Sequence, residues 1–358
     1  MPRTLNTLQV GRGLAALAVM LYHANLTLNL PKYIGRNIFP MFGAGNSGVE
    51  YFFVLSGFVI LLAHKNDIGN PSKFLTFVWK RVKRIYPPLW IALLIVTPIY
   101  FIHPAFGKGE ETHLWTIVSA FLVIPTHADF LIGPEWTLRH EMLFYAIFAI
   151  VIWKPRIGLP IAAIWIALCV IIPLVGFPSL PFLIGFSASR FHVLFALGAL
   201  ISLLFIRDFD KAPTAMLAIG LAIFATAWTL VCLNQIDDQA PLTVWTYGIG
   251  AALAILGAAN LERRRTIAFP RWLIFLGEAS YSIYLFHWPA ISVMSKVFSA
   301  LSHRYYVPDV LVFLATAGSG LAAGIAFHLL AEKPAIAFVS RWPALLKRRP
   351  ALEPGAPV

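Results

Sequence analysis

"RGLAALAVMLYH", Arg12 to His23, lies inside the first apolar run of the chain. It sets Leu, Ala, Val and Met between a guanidinium and an imidazole, two groups that hydrocarbon does not welcome. How this stretch is read depends on its surroundings, and composition decides them. Of 358 residues, 59% are hydrophobic and 12% charged, about half the charge of an ordinary soluble protein. Mean hydropathy is +0.76. Such a chain has too little polar surface to cover a soluble globule, so the reading is an all-α, polytopic membrane protein.

Ten runs are long enough to cross a bilayer as helices, at about 10–29, 47–64, 86–103, 134–153, 158–176, 190–206, 214–233, 243–260, 273–298 and 309–332. The run 114–125 is too short and reads as re-entrant or interfacial. With the N-terminus placed in the cytosol, twenty Lys and Arg fall on the cytosolic side. Five fall outside: Lys32, Arg36, Lys108, Arg190 and Arg304. That bias predicts ten spans with both ends cytosolic, in the inner (cytoplasmic) membrane. The net charge of +12 is then mostly topology, and nucleic acid is not an expected partner. After Tyr22 comes "HANLTLNL", without a convincing cleavage site, so the first run is expected to be retained. Residues 1–342 form the membrane domain, and 343–358, rich in Pro and Arg, are expected to be a disordered cytosolic tail. Cys169 and Cys232 lie in different apolar runs, and no metal or disulfide spacing appears.

Eleven residues of helix advance about 16 Å and return to within about 20° of the starting direction. Arg12 and His23 therefore share a face, Arg12 at the cytosolic edge and His23 about two-thirds of the way across. Separately, each has a plainer use, Arg12 as a snorkelling anchor and His23 as a helix-packing hydrogen bond.

A second constellation lies at the same edge. "NPSKFLTFVWKRVKRIYPPLW" opens with Ser72 as a candidate N-cap and is expected to end at Pro87-Pro88. Between them Phe74, Phe77, Val78, Val82 and Ile85 share one helical face, the pattern of an interfacial amphipathic helix. Lys73, Lys80 and Lys83 occupy the polar side, but Arg81 falls within about 20° of Phe74, with Arg84 at the border of the apolar stripe. Two arginines facing the protein suit a phosphate-bearing ligand from the cytosol.

Acids form the third set. In "GPEWTLRHEMLFYAIF", Gly133 to Phe148, Glu141 lies roughly 9 Å into the membrane from outside, at the depth of His23. A carboxylate there can orient an imidazole. Glu135 and Arg139 are spaced to pair. Glu50 is another shallow outer acid, and Ser280, Tyr284 and His287 share a face of their helix. A secondary transporter or flippase for a glycan-related or acidic substrate, using His23, Glu50 and Glu141 as a proton or substrate path, is the rival reading, although it gives Arg81 no task.

Together the Arg12–His23 spacing, "GVEYFFVLSGF", "RVKR" before "IYP", "WTLRHEMLFY" and "SYSIYLFHWP" resemble the acyltransferase-3 family of membrane O-acyltransferases, and most of all its exopolysaccharide-production branch. The resemblance covers essentially the whole chain. It implies ten helices that move an acyl group from a cytosolic donor, usually acetyl-CoA, to a carbohydrate hydroxyl. His23 would be the catalytic base, with Glu141 beside it, and Arg12, Arg81 and Arg84 would hold acyl-CoA. Glu50, Trp136, Tyr284 and His287 are the candidates for contact with a glycan or lipid-linked sugar, and Tyr281, Tyr284 and Trp136 offer donors to an oxyanion. No metal is expected. Many members read Ser-x-x-Glu-Glu after the Trp, where this chain has Arg139-His140-Glu141. Members with an appended periplasmic domain run longer, so this chain is expected to act alone or with a separate partner.

Overall fold

The structure, a computed structural model, describes residues 5–176, 180–302 and 304–347. Every regular element among them is helical. The long helices are α1 (Asn6–Asn29), α2 (Gly48–His64), α3 (Phe74–Ile102), α5 (Glu135–Trp153), α6 (Pro155–Val175), α8 (His192–Ile206), α9 (Pro213–Cys232), α10 (Pro241–Arg264), α11 (Arg271–Ser302) and α12 (Asp309–Phe327). Two short helices, α4 (Leu114–Leu122) and α7 (Phe182–Ser187), lie between them, and a π-turn at His328–Glu332 leads from α12 into α13 (Lys333–Lys347). Residues 348–358 of the expected tail, like Arg3, lie outside the described residues.

Seven helical segments among the described residues are long and apolar enough to cross a membrane. The burial pattern agrees: α6 exposes Leu159, Ile164, Ile171 and Leu174, a surface that suits lipid and not water. The long helices that miss this threshold are α1, α5 and α11. These are the helices that carry Arg12 and His23, Glu135 to Glu141, and Ser280 to His287.

Small residues set the helix spacing. Gly48 of α2 packs under the Ala15 carbonyl of α1, and Gly277 of α11 lies against the backbone of Gln9. A side chain at either glycine would meet main chain, so α1 is wedged between α2 and α11 at close range. Gly57 and Gly198 do the same for α2 and α8. At one end of the bundle Arg263 and Arg264 pair with Asp208 and Asp210, and Gly69 N–H bonds Ile152 O. At the other end Arg36 pairs with Asp309 and Lys108 with Asp129.

Two expectations are corrected. The amphipathic segment does not end at Pro87-Pro88: α3 runs unbroken from Phe74 to Ile102 with Pro87, Pro88 and Pro98 inside it. The proline pair removes two ladder donors, and Tyr281 OH of α11 donates to the adjacent Ile85 carbonyl at 3.1 Å. Nor does Ser72 cap the helix. Asn70 Oδ1 accepts from both Ser72 N–H, at 3.2 Å, and Ser72 O–H, at 2.7 Å. The short run at 114–125 contains α4, nine residues long, whose last carbonyls accept from Tyr86 OH and Trp90 Nε1 of α3.

Candidate active site

The first turn of α1 is pinned from a distance. Glu262, near the end of α10, accepts Asn6 N–H, Thr7 N–H and Thr7 O–H at 2.8, 2.8 and 2.6 Å. These are among the donors a helix N-terminus leaves unpaired, and a carboxylate there also meets the positive end of the helix dipole. With both its start and its two flanks fixed, α1 presents Arg12 and His23 at set positions.

Arg12 opens into a cavity that Arg81, Arg84, Glu141, Tyr281 and Tyr284 also line. Arg81 is held in a chain: His64 donates from Nδ1 to Asp67 Oδ2 at 2.7 Å, which leaves Nε2 to face Arg81 Nη2 at 3.5 Å. The guanidinium also lies over the rings of Phe77 and Tyr145. Arg84 is exposed at the cavity, with no carboxylate paired to it among the described residues. The helix thus turns Arg81 toward the protein, as the helical spacing predicts, and leaves Arg84 exposed at the cavity.

Glu141 lines the same cavity and accepts from Ser56 O–H at 3.2 Å and from Tyr145 O–H. Its partners are therefore hydroxyls, and the partner of His23 is another imidazole. His23 Nδ1 lies 2.7 Å from His287 Nε2, and His287 Nδ1 lies 2.7 Å from the Ile283 carbonyl. A carbonyl only accepts, so His287 Nδ1 carries the proton. With neutral rings, His287 Nε2 then accepts from His23 Nδ1–H, and the free lone pair of His23 is on Nε2. His287 is wholly buried. The His23 ring also packs on Trp288, with centroids 4.3 Å apart.

The cavity and the histidine pair are nearly contiguous. Tyr284 lines the cavity, and its ring centroid is 6.4 Å from that of His287. Thr137 O–H donates to Pro134 O at 2.8 Å, so Tyr284 O–H donates to Thr137 Oγ1 at 2.9 Å.

The other sequence candidates lie apart. Trp136 is packed among Phe53, His140 and Phe191. Glu50 is buried, with Oε2 unpartnered among the described residues. Glu135 and Arg139 form a buried ion pair at 3.3 Å.

Sequence reasoning passed over three groups. Ser56, Tyr145 and Thr137 anchor the cavity walls. At the π-turn, Glu332 Oε2 accepts from Ser282 O–H at 2.5 Å and His328 Nδ1 at 2.7 Å, within electrostatic reach of Arg12; the His-x-x-x-Glu spacing was its only signal. A second imidazole pair joins His140 Nδ1 to His192 Nε2 at 2.9 Å. Among the described residues no group of three or more His, Cys, Asp or Glu is arranged to hold a metal ion.

Comparison with known proteins fits this architecture. The family model described as "Acyltransferase domain" (Acyl_transf_3) matches residues 5–329. The exopolysaccharide production protein ExoZ of Rhizobium meliloti is 30% identical over 303 residues, covering 82% of this chain and 90% of that protein. The O-acetyltransferase OatA of Staphylococcus aureus is 25% identical over 366 residues, covering 92% of this chain and 57% of OatA. No solved structure matches. Sequence and architecture together establish that this chain belongs to the acyltransferase-3 family and is a membrane-embedded O-acyltransferase.

Proposed function

We propose that the protein moves an acetyl group from cytosolic acetyl-CoA to a hydroxyl of an exopolysaccharide, or a related glycan, presented at the outer face of the inner membrane. The observation that carries this reading is one cavity lined by Arg12, Arg81 and Arg84 and also by Tyr284, whose ring centroid is 6.4 Å from that of His287.

Arg12, Arg81 and Arg84 bind the phosphates of CoA at the cytosolic mouth, where guanidinium forks match phosphate oxygens. The pantetheine arm then follows the α1 face. Arg12 and His23 are separated along it by about 16 Å, a span that an extended thioester arm suits. His23 Nε2 takes the proton of the acceptor hydroxyl as its oxygen attacks the thioester carbon. The C–O bond forms, the C–S bond breaks, and the proton passes from His23 to the CoA thiolate. His287 acts as a positioning residue, because both of its ring nitrogens are engaged. Glu141, bonded by Ser56 and Tyr145, supplies negative charge near the arginines, and Tyr284 is a donor for the developing oxyanion once it leaves Thr137.

Ten spans with cytosolic ends suit this scheme. Adding α1, α5 and α11 to the seven strongly apolar segments gives ten. The end that gathers Arg263, Arg264, Asp208 and Asp210 is the one the loop charges assign to the cytosol. Membrane vesicles of defined sidedness test the reading. Acetyl-CoA added to the cytosolic face should acetylate glycan, and acetyl-CoA added to the outer face of sealed vesicles should not. Equal use from both faces would contradict it.

A further inference from the structure

Six side-chain hydroxyls line the cavity, and five of them are already bonded. Ser56 and Tyr145 donate to Glu141, Tyr281 to Ile85 O, Thr137 to Pro134 O and Tyr284 to Thr137. The sixth belongs to Ser280 of α11. This residue is 0% exposed, and its Oγ has no hydrogen-bond partner among the described residues. A helical serine can turn back to the carbonyl three or four residues earlier, as Ser119, Ser302 and Ser319 do. Ser280 does not. Ser202 and Ser295 are also buried and unpaired, but neither lines the cavity. Leaving a buried hydroxyl unmet is unfavourable, and one that faces a cavity can be met by what fills it.

The height of Ser280 along the cavity identifies that occupant. Helices α1 and α11 run side by side in the same direction: Gly13 packs on Gly277, and ten residues further along each helix His23 meets His287. Ser280 therefore lies about 6 Å beyond the level of Arg12 and about 10 Å short of His287 along the helix axis. It shares a helical face with Tyr284 and His287. Much of the remaining lining is apolar, with Val49, Phe52, Phe53, Leu55, Val59 and Ile60 all contributed by α2. A sugar carries hydroxyls around its ring, and such a wall would leave most of them unmet. A thin chain of methylenes with an occasional amide suits it.

We infer that Ser280 binds the arm of the acyl donor, its hydroxyl donating to an amide carbonyl of pantetheine between the arginines and the histidine pair. The inference rests on the acyl-transfer reading above and adds to it a donor-binding residue that touches the arm and not the phosphates. The contact fixes how far the arm advances, so that the thioester stops beside His23.

Two probes divide the donor: CoA, and its nucleotide portion adenosine 3′,5′-bisphosphate, which has phosphates and no arm. With purified full-length protein, Ser280→Ala should weaken CoA binding about three- to tenfold and leave the bisphosphate unchanged. Arg81→Lys should weaken both. In the vesicle assay Ser280→Ala should raise the KM for acetyl-CoA by the same factor and leave the KM for glycan alone. Because the hydroxyl has no partner within the protein, its removal should not lower the unfolding midpoint of the ligand-free protein, as loss of a structural hydrogen bond would. An unchanged CoA affinity, equal weakening of CoA and the bisphosphate, a lowered midpoint, or a raised KM for glycan in place of acetyl-CoA would overturn the inference and leave the acyl-transfer reading standing. If the parent protein binds neither probe, the acyl-transfer reading itself falls, and the role of Ser280 with it.

Discussion

His23 and His287 stand 264 residues apart in the chain, and their ring nitrogens meet at 2.7 Å. The second ring is in turn fixed by a backbone carbonyl of its own helix, Ile283 O. A buried group that holds an imidazole in this way fixes which of its nitrogens is free, as the base role proposed for His23 requires. Here the orienting group is an imidazole rather than a carboxylate, and the Ile283 carbonyl sets its tautomer.

Removing that partner should slow the chemical step without touching donor binding. His287→Ala is expected to lower kcat for acetyl transfer about a hundredfold or more, with the KM for acetyl-CoA within about twofold of the parent, a split expected of a lost orienting group. His287→Gln keeps an acceptor for His23 Nδ1–H and should recover part of the loss. The sign of the pH dependence follows from the role: a base works unprotonated, so kcat should rise with pH along its acid limb. Steady-state kinetics across pH, with membrane levels matched, checks all three. A parallel rise in KM would make His287 a general structural residue.

If Arg81 binds the donor as proposed, donor recognition should separate it from its lysine neighbours. Arg81→Lys keeps the charge and loses the planar fork, and loss of one charge-assisted contact costs about 1.5–3 kcal/mol, roughly ten- to a hundredfold in donor affinity. Lys80 is exposed, so Lys80→Gln should change little. Titration of acetyl-CoA against both variants in vesicles is the measurement. Equal weakening would reduce the helix to a membrane anchor.

The cap that Glu262 places on α1 should matter for stability more than for chemistry. Glu262→Ala leaves Asn6 N–H and Thr7 N–H without their acceptor, at a cost of about 1–2 kcal/mol. A fluorescence-detected unfolding midpoint lowered by a few degrees is expected, with activity largely retained at low temperature. An unchanged midpoint would mean that water caps the helix equally well.

Much of this was legible in one dimension. The helical period put Arg12 and His23 on one face and Arg81 among apolar neighbours, and the structure opens all three arginines onto one cavity. The partners were not legible, because each comes from another helix. His287, Glu262 and Tyr281 reach α1 and α3 across most of the chain, and no local spacing encodes that meeting. The two corrections near α3 have local causes. Proline normally stops a soluble helix, yet in a membrane bundle a neighbour such as Tyr281 can supply a donor beside the gap. Asn70 outcompeted Ser72 as cap because its side chain reaches both the N–H and the hydroxyl of Ser72. Glu141 and His23 share a depth, but depth does not give azimuth, and Ser56 and Tyr145 hold the carboxylate.

The most direct test of the account is acetyl transfer by His23→Ala. The variant should reach the membrane at the parent's level, and it should bind acetyl-CoA with the parent's affinity, because the arginines are untouched. Transfer of labelled acetyl from acetyl-CoA to glycan in vesicles should fall to background. Near-normal transfer by a variant without this imidazole would contradict the assignment of His23 as the base.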